Sequence, residues 1–315
     1  MTDDRRSGPA RGDGADVIPV RSARNHRGPG RPLRTIALTS GKGGVGKTSI
    51  AASLAISLSR AGARVLALDG DLGKANLDIV MGVLPGRSLM DALAGHCPIE
   101  DVLVSGPEGV TILPTCSGRY DLANLSDEER YGLFSAVDRL EDRFDVLLID
   151  TAAGITSNAV SFAAAARDVV IVATPEPTSV ADAYAMIKIL SRRFQVPRVH
   201  VLANMVASPR EGELLFRRLA HLTGKFLDVG IDYLGFVYRD SSVLASLSRG
   251  QPFSLANPEC PASRCVAAIA AKIGHGPVTQ GHGGIGLFWR RLAEADRAPY
   301  VETERTLPVH QGANR

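Results

Sequence analysis

Ser40-Gly41-Lys42-Gly43-Gly44-Val45-Gly46-Lys47-Thr48 is the stretch that decides how this chain is read. From Gly41 to Thr48 it satisfies G-x-x-x-x-G-K-[ST] in full. The apolar run Thr35-Ile36-Ala37-Leu38 precedes it and the helix-like Ser49-Ile50-Ala51-Ala52-Ser53-Leu54 follows, which is the strand, loop and helix setting this motif requires. Glycines let the backbone fold around a phosphate, so that successive N–H groups and a helix N-terminus face the anion. Lys47 is then expected on the β and γ phosphates and the Thr48 hydroxyl on Mg²⁺. The expected nucleotide set is Gly41, Lys42, Gly43, Gly44, Val45, Gly46, Lys47, Thr48 and Ser49, and the expected cofactors are ATP and Mg²⁺.

Outward from this loop, short apolar runs alternate with helical stretches: Thr35 to Thr39, Arg64 to Asp69, Val110 to Leu113, Val146 to Asp150, Val169 to Ala173, His200 to Ala203 and Tyr233 to Val237. Strands this apolar are buried on both faces, and right-handed crossovers put helices on either side. The fold class expected is α/β, a doubly wound, mostly parallel sheet of the P-loop NTPase kind with its ligand at the carboxyl ends of the strands.

Two of those strand ends carry acids. The second run closes on Asp69-Gly70-Asp71, where Asp71 is the candidate for placing the attacking water and Asp69 lies deeper. Phosphoryl transfer to water depends mostly on in-line placement and charge stabilisation, so one carboxylate facing the γ phosphate suffices. The fourth closes on Leu147-Leu148-Ile149-Asp150-Thr151-Ala152-Ala153-Gly154, delivering Asp150 to the metal side as a Walker B aspartate. Thr48, Asp71 and Asp150 form the expected Mg²⁺ group. Gly154 is a candidate sensor of the γ phosphate through its backbone. Asn204, ending the sixth run, carries an amide able to read adenine by paired donor and acceptor, although turns also select Asn for conformation alone.

The 315 residues are 45% hydrophobic and 22% charged, with a net charge of +3. That suits one core-forming domain, expected over 34–275. Residues 1–33 read as a disordered Arg/Gly/Pro-rich tail and 276–315 as a flexible one. Residues 1 to 34 hold eight Arg and four Asp, which leaves the middle of the chain slightly acidic and argues against a strongly nucleic-acid-binding domain. Cys97, Cys116, Cys260 and Cys265 contain no C-x-x-C pair, against zinc or iron–sulfur chemistry. His96, His221, His275 and His282 show no ligand spacing. No apolar run of membrane-span length and no signal-peptide core is present, so the chain is expected in the cytoplasm.

Lys42 is a second lysine that an ordinary phosphate loop lacks. It resembles the signature lysine of the deviant Walker A proteins, the MinD/ParA class, in which it crosses a dimer interface onto the partner's phosphates. The resemblance sharpens through Asp69 to Asp78, Asp150 to Ile155, Thr174-Pro175-Glu176-Pro177-Thr178-Ser179, Leu202-Ala203-Asn204-Met205, Ser208 to Gly212 and Tyr233-Leu234-Gly235. Over roughly 34 to 295 the chain is similar to the FlhG/FleN family of MinD-like ATPases, which regulate the number and placement of bacterial flagella. The resemblance implies an ATP hydrolase with Lys42, Lys47, Asp71 and Asp150 as its catalytic residues. It also implies an ATP-dependent homodimer and residence at the cytoplasmic face of the inner membrane, at a cell pole. The partners it implies are anionic lipids, an FlhF-type GTPase, the flagellar master transcription regulator and flagellar switch (C-ring) proteins, without sequence-specific DNA binding. Two features depart from the family pattern. Lys74 stands where relatives carry an apolar residue, and the N-terminal stretch has no D-Q-A-x-x-L-R activator motif.

Near the C-terminus, Ile285, Phe288, Trp289 and Leu292 fall at i, i+3, i+4 and i+7, one stripe of a helix spanning 285–295 with Arg290 and Arg291 off it. This is the pattern of an interfacial membrane helix; docking of the same stripe on the domain's own core is the alternative. Two further readings of the whole chain stay open: a ParA-like DNA or cargo partition ATPase, in which the stripe is only packing, and a MinD-like septum-site regulator.

Overall fold

The computed structural model describes residues 33–71, 74–115, 140–275, 290–292 and 294. The expected tails 1–33 and 276–315 lie outside these residues except for Leu33, 290–292 and 294. The chain runs β1 (Arg34–Ser40), α1 (Lys47–Arg60), β2 (Val65–Gly70), α2 (Leu77–Met81), α3 (Leu89–Leu93), β3 (Val104–Ser105) and β4 (Thr111–Leu113). It continues with β5 (Val146–Ala153), α4 (Ser157–Ala165), β6 (Asp168–Ala173), α5 (Pro177–Phe194), β7 (Arg198–Val206), α6 (Pro209–Phe226) and β8 (Gly230–Tyr238), and ends in α7 (Ser241–Leu247), α8 (Phe253–Ala256) and α9 (Pro261–His275).

Among the described residues, eight strands form one sheet in the order β3-β4-β2-β5-β1-β6-β7-β8. Every pairing is parallel except β3 with β4. The seven apolar runs are seven of the strands. The eighth, β3, has only two residues, half-buried Val104 and exposed Ser105, too short and too polar to show as a run; it caps the sheet edge antiparallel to β4.

Alternation along each strand divides the core in two. Ala37, Leu66, Leu68, Leu147, Ile149, Val169 and Ile171 face one cluster, filled by Phe162 of α4, Met186, Ile187 and Leu190 of α5, and Leu215 and Leu219 of α6. Ile36, Leu38, Val65, Ala67, Leu148, Val170 and Val172 face the other, filled by Ile50, Leu54 and Leu58 of α1, Phe253 of α8, and Val266 and Ile269 of α9. The sheet is therefore covered on both sides, as continuous apolar strands demand. From β1 the chain reaches β2 across β5, and from β5 it reaches β6 across β1. The carboxyl end of β1 thus sits where the winding reverses, the place at which such sheets leave a crevice.

Candidate nucleotide site

The loop after β1 is shaped by what surrounds its glycines. A Cβ on Gly41 would lie 2.0 Å from the Asp182 carbonyl oxygen of α5, a separation that no side chain survives, so the motif's first glycine is fixed by backbone approach. Gly46 caps α1 with φ 82°, in the left-handed region, and a Cβ there would also press on the Asn204 amide at 2.6 Å. Gly44 has φ 78° and open space around its Cβ position, so the mouth of the loop has room for a phosphate chain.

The first turn of α1 and the strands β5 and β2 bring their charges together beside that loop. Lys47 Nζ lies 2.5 Å from Asp150 Oδ1, with both side chains buried. Asp150 of β5 sits between Leu38 of β1 and Asp69 of β2 in register. Burial and the Asp150 charge push Asp69 up to about 7, against the pull of backbone N–H groups from Leu77, Asp71 and Asn76. Those amides donate at 2.9, 2.9 and 2.7 Å, and they hold Asp71, Asn76 and Leu77 against the Asp69 carboxylate. Asp71 is half-buried at the rim, and its Oδ1 accepts from the Lys74 N–H at 3.1 Å. Thr48, half-buried, stands at the first turn of α1 beside Lys47. Lys47 and Asp150 thus form a buried ion pair, and Thr48 at the start of α1, Asp71 after β2 and Asp150 in β5 carry oxygens of the kind Mg²⁺ takes.

Asn204 lies on the far side of the loop. It is buried, and its Nδ2 donates to the Val45 carbonyl at 2.7 Å, leaving its oxygen as the free half of the amide. Gly154 has φ 82°, and its N–H donates to the Ser40 carbonyl at 3.1 Å, which ties the segment to the end of β1. Lys42 reaches across to α5 instead of over its own loop: its Nζ is 2.6 Å from Glu176 Oε2 and 3.1 Å from Thr178 Oγ1. Sequence reasoning gave Glu176 and Thr178 no role. The available signal was their position, two polar residues at the N-terminal turn of the helix after a strand that ends beside the loop.

Of the C-terminal stripe, Leu292 is 2% exposed and belongs to the same cluster as α4, α5 and α6, so in this conformation it is docked on the domain. Ile285, Phe288 and Trp289 lie outside the described residues.

The model of the CobQ/CobB/MinD/ParA nucleotide-binding domain family matches residues 36–253. The chain belongs to the MinD/ParA nucleotide-binding family. Among its relatives, the antiactivator FleN of Pseudomonas aeruginosa is 43% identical over 84% of this chain and 94% of that protein. The flagellum site-determining protein YlxH of Helicobacter pylori is 37% identical over 65% of this chain and 70% of that one. Among solved structures, the cell division ATPase MinD of Pyrococcus furiosus superposes with a TM-score of 0.62 at 26% identity, covering 76% of this chain and 98% of that chain. Within the MinD/ParA family the chain is of the FlhG/FleN type, an ATP hydrolase with ATP and Mg²⁺ as its cofactors. The geometry above gives the residues through which it would hold them.

Proposed function

We propose that this MinD/ParA ATPase is a nucleotide-switched dimer that sets the number and placement of flagella. The observation that carries the reading is Lys42, whose side chain turns away from its own phosphate loop, stays partly exposed and rests on Glu176. In the proposed dimer Lys42 reaches the partner's phosphates. Burying phosphate charge between subunits is tolerable only with compensating cations from both sides, so subunit affinity depends on nucleotide. The flagellar assignment rests on the likeness to an antiactivator FleN and a flagellum site-determining protein. The proposed partners are the flagellar master transcription regulator, an FlhF-type GTPase and flagellar switch proteins.

Membrane residence follows from the same switch. Among the described residues no helix is long and apolar enough to cross a membrane, so attachment would be peripheral, through Ile285, Phe288, Trp289 and Leu292. Leu292 cannot be docked and in lipid at once, so binding lipid requires the helix to leave the domain. Four such side chains give roughly 6–12 kcal/mol gross, and ordering about ten residues costs on the order of 10 kcal/mol or more. One copy is therefore marginal, whereas two on one dimer act together. The site proposed for this localisation is the cytoplasmic face of the inner membrane, at a pole.

The test is co-sedimentation with anionic liposomes and, separately, with DNA, in ATP and in ADP, for wild type and Asp71→Ala. Liposome binding in ATP alone, stronger in the Asp71 variant and lost on changing Phe288 and Trp289 to Glu, is the expected result. DNA binding without lipid binding would replace it with a partition ATPase.

A further inference from the structure

Lys42 is the residue on which the proposed dimer turns, and in the structure it is already occupied. Both of its acceptors belong to the N-terminal turn of one helix. Glu176 is the cap residue of α5 and Thr178 its second helical residue. That helix is registered on the phosphate loop by the approach of the Asp182 carbonyl to Gly41. The Lys42 backbone is held too, since Ser40 Oγ donates to its carbonyl at 2.9 Å. What remains free to move is the lysine side chain itself.

We propose that Glu176 and Thr178 form a latch that holds Lys42 in cis, and that opening this latch is a step in forming the nucleotide-bound dimer. The inference rests on the reading of Lys42 as the residue that crosses to the partner. Two features give the latch its strength and its direction. The pair is open to solvent, with 37% of the Lys42 side chain and 57% of Glu176 exposed, and exposed ion pairs are weak enough to break readily. A buried pair in this place would lock the lysine permanently. Moreover, a helix N-terminus carries partial positive charge and repels a cation, so Lys42 rests against α5 only because Glu176 reverses the local sign. The Lys42 ammonium in turn holds the Glu176 carboxyl below the usual carboxylate range, with Arg239 adding to the effect. Without the carboxylate, the same helix end would push the lysine outward, toward a second subunit.

The latch therefore opposes dimerisation, and removing it strengthens the dimer. An exposed ion pair is worth at most about a fivefold factor, so a dimer that opens two latches gains up to about 30-fold in affinity. The experiment is sedimentation velocity on the full-length protein with a saturating non-hydrolysable ATP analogue or with ADP, for wild type, Glu176→Gln, Thr178→Val, Lys42→Ala and the Lys42→Ala/Glu176→Gln double variant. The expected result is a dimer dissociation constant lowered 3- to 30-fold by Glu176→Gln with the ATP analogue, and lowered less by Thr178→Val. ADP should give no dimer in either, and the Glu176 effect should vanish in the Lys42→Ala background. Weaker or unchanged dimerisation in both latch variants, or an effect that persists without Lys42, overturns the latch. A Lys42→Ala protein that dimerises like wild type overturns the trans role itself, a different result that the same series separates.

Discussion

At the scale of single residues, the site is a set of charges too close to be independent. Asp69 has the most to lose from ionising, because it shares register with Asp150 and is shut away from water. Its folded value of about 7 stands above the ordinary 3.8 of the unfolded chain. The folded ligand-free protein therefore holds a proton that the unfolded chain releases, and the associated stability is complete below about pH 4 and lost as pH rises through 7. Asp69→Asn removes this titration and keeps an oxygen for the surrounding amides. Thermal unfolding without nucleotide should show the variant gaining on wild type as pH goes from 5 to 8, and a pH-independent difference would contradict the assignment. Gly41→Ala makes a different demand on the same loop. The clash is with backbone, the Asp182 carbonyl, so relief requires α5 to shift. Overpacking of this sort costs about 1–3 kcal/mol, and nucleotide affinity, read by calorimetry, should fall more steeply than the melting temperature.

Among elements, legibility followed length and charge. The phosphate loop, the strands that carry Asp69 and Asp150, and the parallel winding were readable because continuous apolar runs end at acids beside a complete motif. β3 was not, since two residues cannot show a period. Nor were the Lys42 to Glu176 contact and the tie between Gly154 and Ser40, which join residues 134 apart and 114 apart in the chain and depend on side-chain direction and loop path that no local pattern encodes. Helix ends lay between these cases. At the start of α6, Ser208 Oγ accepts from the Glu211 N–H at 3.3 Å, a cap visible in Ser208-Pro209-Arg210-Glu211, and Glu211 Oε2 accepts from the N–H of Ala207, one residue before the cap, at 2.6 Å. Ser208→Ala should cost about 1 kcal/mol, or about 2–4 °C in melting temperature for a chain of this size. α6 packs mainly on α5, β7 and β8, so the cost should fall on stability; a loss of ATP affinity beyond it would tie the start of α6 to the site through Asn204, four residues before Ser208.

For the whole molecule, one surface has two claimants. The stripe of Ile285, Phe288, Trp289 and Leu292 is proposed to meet a lipid surface, yet Leu292 lies in the core beside α4, α5 and α6. A leucine that belongs to the global fold loses about 2–5 kcal/mol when cut to alanine. A leucine on a helix that undocks by itself charges that cost to the local opening and spares the rest of the protein. Leu292→Ala distinguishes the two, and neighbouring chemistry supplies the probe: Arg290 and Arg291 are exposed on the same helix, where trypsin can cut only after the helix comes away. If docking is a local, reversible state, the ligand-free variant should keep its melting temperature within about 2 °C of wild type and be cut several-fold faster at these arginines. Leu190→Ala, in the interior of α5, is the control and should lower the melting temperature by many degrees. If Leu292→Ala melts as low as Leu190→Ala, the helix is a fixed part of the domain, no copy is available to leave for a membrane, and the ATP dimer must find its place in the cell by another surface.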